Sequence, residues 1–281
     1  MISVTEIQKA IDALGLNGSA VCIHSSMRSF GSALEGGLGG LLQSFLGSGC
    51  TVMVPTFSYM FEASPVPPYM PPRNGTGDGS CFFSNSNQPH EPYRPDSKEL
   101  STEDMGRFSE YVLQQPGSIR GRNPLNSFTA LGPAAASLIS DQTTRDVYAP
   151  FRELCDMNGY VLLMGVSLES ATIIHYAEQV AGRTPFIRWA KASNGQTIPV
   201  STGSCSLGFD HLQPVVSSIA HQVTVGQSVW SCYPAKEIVR LCAAALKKDP
   251  LLSHCGNANC DRCRDAVLGG PILPIDFWDK E

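Results

Sequence analysis

The chain has 281 residues, enough for one large domain or two small ones, and this length excludes a mini-protein held together by disulfides. Hydrophobic residues make up 42% and charged residues 16% of the sequence, a balance that excludes a mainly disordered chain and a coiled coil. The 20 Lys and Arg residues against 25 Asp and Glu residues give a formal charge of -5. We therefore expect no nucleic-acid partner held through its phosphates, and an acidic surface would suit a cationic substrate.

The N-terminal residues and the cysteines both bear on the compartment. The first amphipathic stretch is interrupted by acidic residues and has no basic flank leading into a continuous apolar run, so it lacks the pattern of a signal peptide. No stretch approaches the roughly 18 to 20 consecutive apolar residues of a membrane span. Most of the ten cysteines stand singly in apolar runs, where a reduced thiol packs as a small hydrophobic group. We expect a soluble, cytoplasmic protein with no membrane partner.

The first third of the chain has a βαβ pattern. Residues 5–15 are predicted as a helix with Thr5 as its N-cap and Gly15 just beyond its end. Apolar strands follow over 19–23 and 51–55, and the segment between them carries leucines and a phenylalanine at helical spacing after a glycine-rich crossover. Because these strands are almost continuously apolar, helices should cover both of their faces. The sequence predicts an α/β fold with a central, mostly parallel sheet flanked by helices.

The composition changes over residues 58–99, which are rich in Pro, Gly, Asn and Ser and have neither helical nor strand periodicity. We interpret this segment as a loop-rich insertion, since a long segment of this kind is usually a lid or a binding loop. No repeat and no second linker is evident, so residues 1–281 are treated as a single domain. Beyond the insertion, the periodicity predicts helices and one further strand; the helices cover 104–115, 130–140, 172–182 and 234–248, and the strand covers 160–166.

The sharpest local pattern is GVSLESATIIHYAEQ at 165–179. An apolar strand ends at Gly165, and Thr172, His175 and Glu178 then recur at every third position of a predicted helix, which places them on one face. A helix that begins just beyond the carboxyl end of a sheet strand is where open α/β folds place their ligands, and a histidine with a nearby carboxylate is the minimal general-base unit. The alternative is a core or capping histidine beside a solvated acid.

Two other segments carry residues suited to an anion. The loop HSSMRSFGSALEGG at 24–37 combines hydroxyls, glycines and an arginine between a strand and a helix. Its backbone amides could hold phosphates, but its spacing matches neither standard phosphate-binding motif, so an ordinary βα loop stays open. Arg120 and Arg122 are placed to bind an anion or a surface carboxylate, and the sequence does not choose between them.

These blocks, in this order, resemble the aminoglycoside 3-N-acetyltransferase family, and the resemblance runs from about residue 4 to residue 190. The family has a fold distinct from the better-known N-acetyltransferase superfamily. The residues that carry the resemblance are His24-Ser25-Ser26, Ser29-Phe30-Gly31, Gly36-Gly37, Val54-Pro55-Thr56-Phe57, Met105-Gly106, Pro116-Gly117, Arg120, Pro124, Ser127-Phe128, Gly132, Gly165-Val166, Thr172, His175 and Glu178.

The resemblance implies an N-acetyltransferase that moves the acetyl group of acetyl-coenzyme A directly to an amine of an aminoglycoside or similar amino sugar. It makes His175 the general base, Glu178 the residue that orients it, and Thr172 a hydrogen-bond donor to the oxyanion or the coenzyme sulfur. It implies a monomer or a homodimer, and antibiotic resistance as the biological role. The positions that it assigns to the coenzyme are His24, Ser25, Ser26, Arg28, Ser29, Phe30, Gly31, Arg120 and Ser127.

The chain departs from the family pattern in one block. Where the family has R-S-x-H-P, this sequence has Arg120-Gly121-Arg122-Asn123-Pro124, so a serine and a histidine are replaced. Two alternatives follow: an acyltransferase of specialised metabolism with a non-aminoglycoside acceptor, and a non-catalytic protein that binds coenzyme A or a partner. An aminoglycoside needs several carboxylates, and the sequence does not rank the candidates, which are Glu62, Asp78, Glu91, Asp156 and Glu169.

The segment SHCGNANCDRCRDA at 253–266 is rich in cysteine and has the spacing of a weak zinc site. Cys260 and Cys263 are separated by two residues, as in zinc knuckles, and Cys255 is a third candidate ligand. Because His254 and Cys255 are adjacent and cannot easily reach one ion together, Cys232 or Cys242 would have to be the fourth ligand. The alternative is a set of free thiols. The family mechanism requires no metal, so any zinc here is predicted to be structural.

Overall fold

A mixed sheet forms the centre of the computed structural model, which describes residues 1–65, 70–71, 73–75, 92–275 and 277–280. The strands of the described chain are β1 (Ala20–Ser25), β2 (Thr51–Pro55), β3 (Ile119–Arg120), β4 (Phe128–Leu131), β5 (Tyr160–Met164), β6 (Phe186–Lys191), β7 (Thr197–Thr202), β8 (His221–Val225) and β9 (Ser228–Pro234). Seven of these described strands form the central sheet, in the order β3-β4-β2-β1-β5-β9-β8, and β6 and β7 form a separate antiparallel hairpin.

The centre of the sheet is parallel and its two sides are antiparallel. Strand β1 pairs in parallel with β2, with Val21 opposite Val52, and in parallel with β5, with Val21 opposite Tyr160. Strand β4 runs antiparallel to β2, and β9 runs antiparallel to β5. The three parallel strands are buried along almost their whole length, as expected for strands covered by helices on both faces. The predicted α/β fold with a mostly parallel core is confirmed.

Helices cover both faces of this core. They are α1 (Val4–Ala13), α2 (Gly37–Gly47), α3 (Thr102–Gln114), α4 (Ala135–Ile139), α5 (Ala149–Asp156), α6 (Ile173–Val180), α7 (Gln213–Val216), α8 (Ala235–Lys248) and α9 (Asp261–Val267). Since successive strand residues point to opposite faces, Val21 and Ile23 pack with α1, α2 and α3, whereas Cys22 packs with α4, α5, α6 and α8. The sheet thus separates two apolar layers.

Several predicted boundaries needed correction. The first helix is capped by Ser3, whose hydroxyl accepts from the Glu6 amide at 3.1 Å, and not by Thr5. The predicted helix over 130–140 begins only at Ala135, because residues 130 and 131 belong to β4 and residues 132–134 form a turn between strand and helix. The strand over 51–55 has the predicted bounds. No helix in the described part of the chain combines the length and apolarity needed to cross a bilayer.

The described parts of the segment 58–99 are attached to the rest of the protein. Asn74 pairs with the backbone of Ile187 in β6, donating to its carbonyl at 2.7 Å and accepting from its amide at 2.8 Å. The Tyr93 hydroxyl donates to the Gly121 carbonyl at 2.5 Å. The candidate carboxylates Asp78 and Glu91 lie outside the described residues. The interpretation as an insertion within a single domain stays a prediction.

Candidate active site

A cavity of about 970 Å³ opens where the parallel strands end. Its lining includes Ser25 at the end of β1, Pro55 at the end of β2, and Val166, two residues beyond β5. Carboxyl ends of parallel strands are the usual ligand position in open α/β sheets. The other walls come from α3, from the start of α6 and from residues 202–207, so the cavity joins three of the blocks singled out in the sequence.

His175 and Glu178 form a close pair in this region. The His175 Nδ1 atom lies 2.9 Å from Glu178 Oε2, across one turn of α6. His175 and Thr172 line the cavity, whereas Glu178 lies behind the histidine and is only 4% exposed. The structure thus brings the three residues together along α6, with Thr172 and His175 on the cavity wall, and their functional roles stay predictions. Glu178 is not the solvated acid that the alternative interpretation required.

Glu178 is held by partners from three other parts of the chain. The Arg183 guanidinium donates to Oε1, the Ser253 hydroxyl donates to the same oxygen at 3.1 Å, and the Ser204 hydroxyl donates to Oε2 at 2.7 Å. Burial is the largest influence and raises the pKa of Glu178, but the hydrogen bond and charge of His175, with Arg183 and Ser204, outweigh it. The net result is a lowered pKa, so the carboxylate is ionised at neutral pH.

The His175 ring is confined on several sides. It stacks on Tyr148 with ring centroids 6.1 Å apart and meets Phe209 edge-on at 4.7 Å. A Cβ atom on Gly203 would lie 2.8 Å from Cδ2 and 2.9 Å from Nε2 of the ring, so any side chain there would displace the ring or the backbone. Within the described residues, Nε2 has no hydrogen-bond partner. The pair therefore presents an oriented imidazole with one nitrogen uncommitted.

The predicted coenzyme loop divides into two parts. His24, Ser25, Ser26 and Arg28 line the cavity, and burial lowers the pKa of His24 to about 4, which keeps its ring neutral. The other three predicted positions do not line it: Ser29 hydrogen-bonds Ser228 at 2.7 Å, Phe30 packs edge-on against Trp230 at 6.1 Å, and Gly31 lies against Gln227. The loop thus turns into the core after Arg28.

Arg120 and Ser127 also lie outside the cavity lining. The Arg120 guanidinium is 5% exposed and donates to Ser127 Oγ at 3.0 Å, to the Ser97 carbonyl at 2.7 Å, and to Thr56 O and Ser58 Oγ, each at 2.7 Å. Tyr93 covers its face at 5.1 Å. These contacts join the ends of β2 and β4 to the segment before α3. The buried Arg120 side chain therefore cross-links these segments and does not line the cavity.

The surroundings of Gly121 and Asn123 explain why these two residues differ from the family pattern. A Cβ atom at Gly121 would lie 1.7 Å from Gln142 Oε1, so the glutamine occupies the space that a serine would need. Asn123 is fully buried, donates to the Ser201 carbonyl at 2.9 Å and accepts from the Asn126 amide at 2.8 Å. Both residues therefore shape the loop behind the cavity. Arg122, the other residue singled out in this block, is exposed.

Sequence reasoning missed an acidic wall. Glu103, Asp104 and Glu110 on α3 line the cavity together with Glu169, the one predicted acceptor carboxylate that the described structure places there. Partial burial raises the pKa of Asp104, and the neighbouring Glu103 raises it further. The signal was present in the sequence, because Glu103 and Asp104 stand at the start of the helix predicted over 104–115. Of the other candidates, Glu62 is buried at a bridge to Ala190 and Asp156 is exposed at the end of α5.

The Cys-rich segment over 253–266 also lies beside the cavity. The sulfurs of Cys255, Cys260 and Cys263 lie together with that of Cys205, and all four are within 4.8 Å of one another. The predicted fourth position was wrong: Cys232 lies in β9 and Cys242 in α8, both in the apolar layers of the sheet. Cys205 belongs to the cavity wall, since residues 203–207 line the cavity beside His175.

The fold and this site define an α/β protein with a buried, carboxylate-oriented histidine in a large cavity. Residues 22–247 match the sequence model described as "Aminoglycoside 3-N-acetyltransferase", and the chain belongs to this family, which confirms the resemblance found in the sequence.

Two kinds of relative support this assignment. Aminoglycoside N(3)-acetyltransferase VII of Streptomyces paromomycinus is 32% identical over 186 residues, which cover 64% of this chain and 61% of that protein. The match thus spans about three fifths of the relative's length. Apo aminoglycoside acetyltransferase AAC(3)-IVa has a TM-score of 0.74 at 23% identity, covering 95% of this chain and 97% of that one. AAC-IIIb, solved as a binary complex with CoASH, has a TM-score of 0.69 at 21% identity, covering 88% and 96%. The two structural matches show a shared fold.

Proposed function

We propose that this protein transfers the acetyl group of acetyl-coenzyme A to an amine of an aminoglycoside or a similar amino sugar. The observation that carries the proposal is the 2.9 Å contact between His175 and the ionised Glu178 at the cavity wall. In the proposed reaction, His175 Nε2 takes a proton from the substrate amine as its nitrogen attacks the thioester carbonyl. The C–S bond then breaks and the coenzyme leaves as its thiolate, which takes up the proton.

Glu178 determines which nitrogen acts as the base. Because the carboxylate accepts from Nδ1, the ring proton stays on that side and the lone pair is left on Nε2. The same carboxylate stabilises the imidazolium that forms when Nε2 takes the proton. Thr172, at the start of α6 and on the cavity wall, is proposed to donate to the developing oxyanion or to the coenzyme sulfur. This arrangement needs no metal in the chemical step.

Acetyl-coenzyme A is proposed to enter beside Ser25, Ser26 and Arg28. These residues supply hydroxyls and a cation to the cavity lining, as a phosphate-bearing pantetheine chain requires. The fold match to AAC-IIIb, a protein solved with CoASH, supports this choice of co-substrate. We further propose that the protein acts in the cytoplasm, as a monomer or a homodimer.

The acceptor is proposed to lie against the acidic wall of Glu103, Asp104, Glu110 and Glu169. Several carboxylates on one side of a cavity attract a substrate with several ammonium groups and orient it through charge-assisted hydrogen bonds. The fold match to AAC(3)-IVa, which has been solved with a gentamicin and with apramycin, supports an aminoglycoside. One wall group, Glu110, is paired with Arg107 at 2.9 Å, so the other three carry most of the free negative charge.

The test is acceptor-dependent release of coenzyme thiol. Purified protein is incubated with acetyl-coenzyme A and a panel of aminoglycosides, other amino sugars and simple amines. His175→Ala should lower turnover by roughly 10² to 10⁴, the usual contribution of general acid-base catalysis, while coenzyme binding persists. His211→Ala is the matched control, because His211 is exposed and is not part of the cavity lining.

The panel also separates the alternatives. Turnover of a different amine in place of aminoglycosides would move the assignment to an acyltransferase with another acceptor. Saturable coenzyme binding with no transfer to any amine would favour the binding-only alternative. Unchanged turnover in His175→Ala would reject the general-base role.

A further inference from the structure

Four cysteines form a compact cluster at the edge of the cavity. Cys205 comes from the segment that follows β7, Cys255 from the turn before α9, and Cys260 and Cys263 from the start of α9. Their sulfurs are within 4.8 Å of one another. Four thiolates that bind one zinc tetrahedrally at about 2.3 Å would lie about 3.8 Å apart. The cluster has the size of a site for a single metal ion, whereas iron–sulfur clusters spread their cysteines around several metal atoms.

A backbone amide also points at one of these sulfurs. The Cys255 amide donates to Cys263 Sγ at 3.4 Å. Backbone N–H donors aimed at sulfur stabilise the negative charge of metal-bound thiolates and fix their orientation. The neighbouring His254 is not needed as a ligand, because its Nδ1 accepts from the Gly256 amide at 3.0 Å.

We propose that Cys205, Cys255, Cys260 and Cys263 bind one structural zinc ion. Four sulfur ligands complete a tetrahedral shell and leave no open position for water or substrate, which is the arrangement of a structural site and not of a catalytic one. Tetrahedral four-sulfur sites select zinc or iron, and zinc is the redox-inert choice. All four cysteines are free thiols in the structure, so no disulfide competes with the metal.

The position of the metal gives it a role in the architecture of the site. Cys205 directly follows Gly203 and Ser204, which contact the His175 ring and hydrogen-bond Glu178. On the other side of the carboxylate, Ser253 donates to Glu178 and lies two residues before Cys255. The zinc therefore ties together two distant segments that hold Glu178 from opposite sides. Arg262, between two of the ligands, lines the same cavity.

Metal content tests the site directly. The protein is purified under reducing conditions without chelator, desalted, and analysed by plasma mass spectrometry. One zinc per chain is expected in the wild type and in Cys155→Ser, a matched control on α5 outside the cluster. Cys205→Ser and Cys260→Ser should lose the zinc on desalting. Protein loaded with cobalt(II) should show the intense thiolate charge-transfer and tetrahedral d–d absorption bands of a four-sulfur site, a readout that does not depend on variant folding.

Three results would overturn the proposal. A desalted wild type without zinc, whose thiols titrate as fully reduced, would show that the cluster does not bind the metal. A disulfide between two of the four cysteines in the wild type would show that these sulfurs are bonded to each other and do not bind a metal. Zinc retained equally by Cys205→Ser and Cys260→Ser would place the metal elsewhere. A structural role further requires that removing zinc with a chelator lowers the midpoint of thermal unfolding and that added zinc restores it, so an unchanged midpoint in metal-free protein would overturn that role.

Discussion

Adding one methyl group beside the His175 ring should slow the proposed reaction while leaving every functional group of the site in place. In Gly203→Ala the new Cβ would lie 2.8 Å from Cδ2 and 2.9 Å from Nε2 of His175, and 2.9 Å from the Tyr148 hydroxyl. Ordinary contacts begin near 3.4 Å, so one of these groups must move by about 0.5 Å. The Gly203 backbone does not have a positive φ, so alanine adds steric pressure and no backbone strain.

The His175 ring has little room to move away from the added methyl group. Glu178 holds Nδ1 at 2.9 Å, Phe209 meets the ring edge-on at 4.7 Å, and Tyr148 stacks on it at 6.1 Å. A misplacement of about 1 Å in a catalytic group can reduce the rate by roughly 10²-fold. A shift of about half that size should lower kcat by roughly tenfold or more. Overpacking should also cost about 1 to 3 kcal/mol of folding free energy.

The assay is steady-state thiol release with acetyl-coenzyme A and the best acceptor from the panel, together with thermal unfolding. The expected result is a lower kcat with the KM for acetyl-coenzyme A close to that of the wild type, because the coenzyme loop is untouched. Gly47→Ala is the matched control: Gly47 closes α2 and an added Cβ meets nothing within 4 Å. Wild-type kcat in Gly203→Ala would refute the conclusion that this packing fixes the position of the base.

Three further perturbations test the carboxylate, the acidic wall and a buried histidine. Glu178→Gln should lower kcat by roughly 10²-fold or more, because the glutamine amide can donate to His175 Nδ1 and fix the wrong tautomer of the ring. The change should also destabilise the fold, since the buried Arg183 loses its ion pair. Asp104→Asn should raise KM for a polycationic acceptor and leave KM for acetyl-coenzyme A unchanged, as measured in the same assay. His24 has a pKa of about 4 in the folded protein against an ordinary 6.5, so the unfolded chain binds more protons in this window and stability falls as the pH is lowered from 6.5 to 4. The loss works out at about 3 kcal/mol, and His24→Asn should abolish it in denaturant titrations at several pH values.

Each of these expectations has an outcome that contradicts it. A Glu178→Gln enzyme with wild-type kcat would mean that the histidine does not depend on the carboxylate for its tautomer. If Asp104→Asn affected a neutral monoamine as much as an aminoglycoside, the acidic wall would not act through charge. Parallel stability curves for wild type and His24→Asn between pH 4 and pH 6.5 would mean that His24 does not contribute to acid sensitivity.

The pairing of His175 with Glu178 could be predicted because its geometry is local. Residues three apart on a helix share a face, and the chemistry of Thr172, His175 and Glu178 is visible in their spacing. The partners that hold Glu178 could not be predicted, since Ser204 and Ser253 lie 26 and 75 residues away along the chain. Cys205 was missed for the same reason. The fold brings it to the C-terminal cysteines through the β6–β7 hairpin, which the sequence analysis did not identify.

The coenzyme loop shows a different limit of sequence reasoning. His24, Ser25, Ser26 and Arg28 line the cavity, and their assignment to the coenzyme stays a prediction. The sequence analysis extended that assignment to Phe30, which does not line the cavity. An aromatic residue inside a polar loop is a signal for the core, and Phe30 is only 1% exposed against Trp230. The outer strands were also harder to predict than the centre, because β8 is largely exposed and lacks the continuous apolar run of β1, β2 and β5.

The departures from the family pattern change where differences in acceptor choice should be sought. At the sequence level, Gly121 and Asn123 pointed to lost contacts with the coenzyme or the acceptor. In the fold, Gly121 makes room for Gln142, whose amide group bonds Phe128, Asn126 and Val147 at 2.8 to 3.2 Å. Asn123 satisfies one buried backbone group in the same loop, the Asn126 amide, and one in β7, the Ser201 carbonyl. Because unpaired buried polar groups are costly, these residues form a mutually dependent set behind the cavity. Acceptor specificity is therefore better sought in side chains that line the cavity, above all the acids of α3.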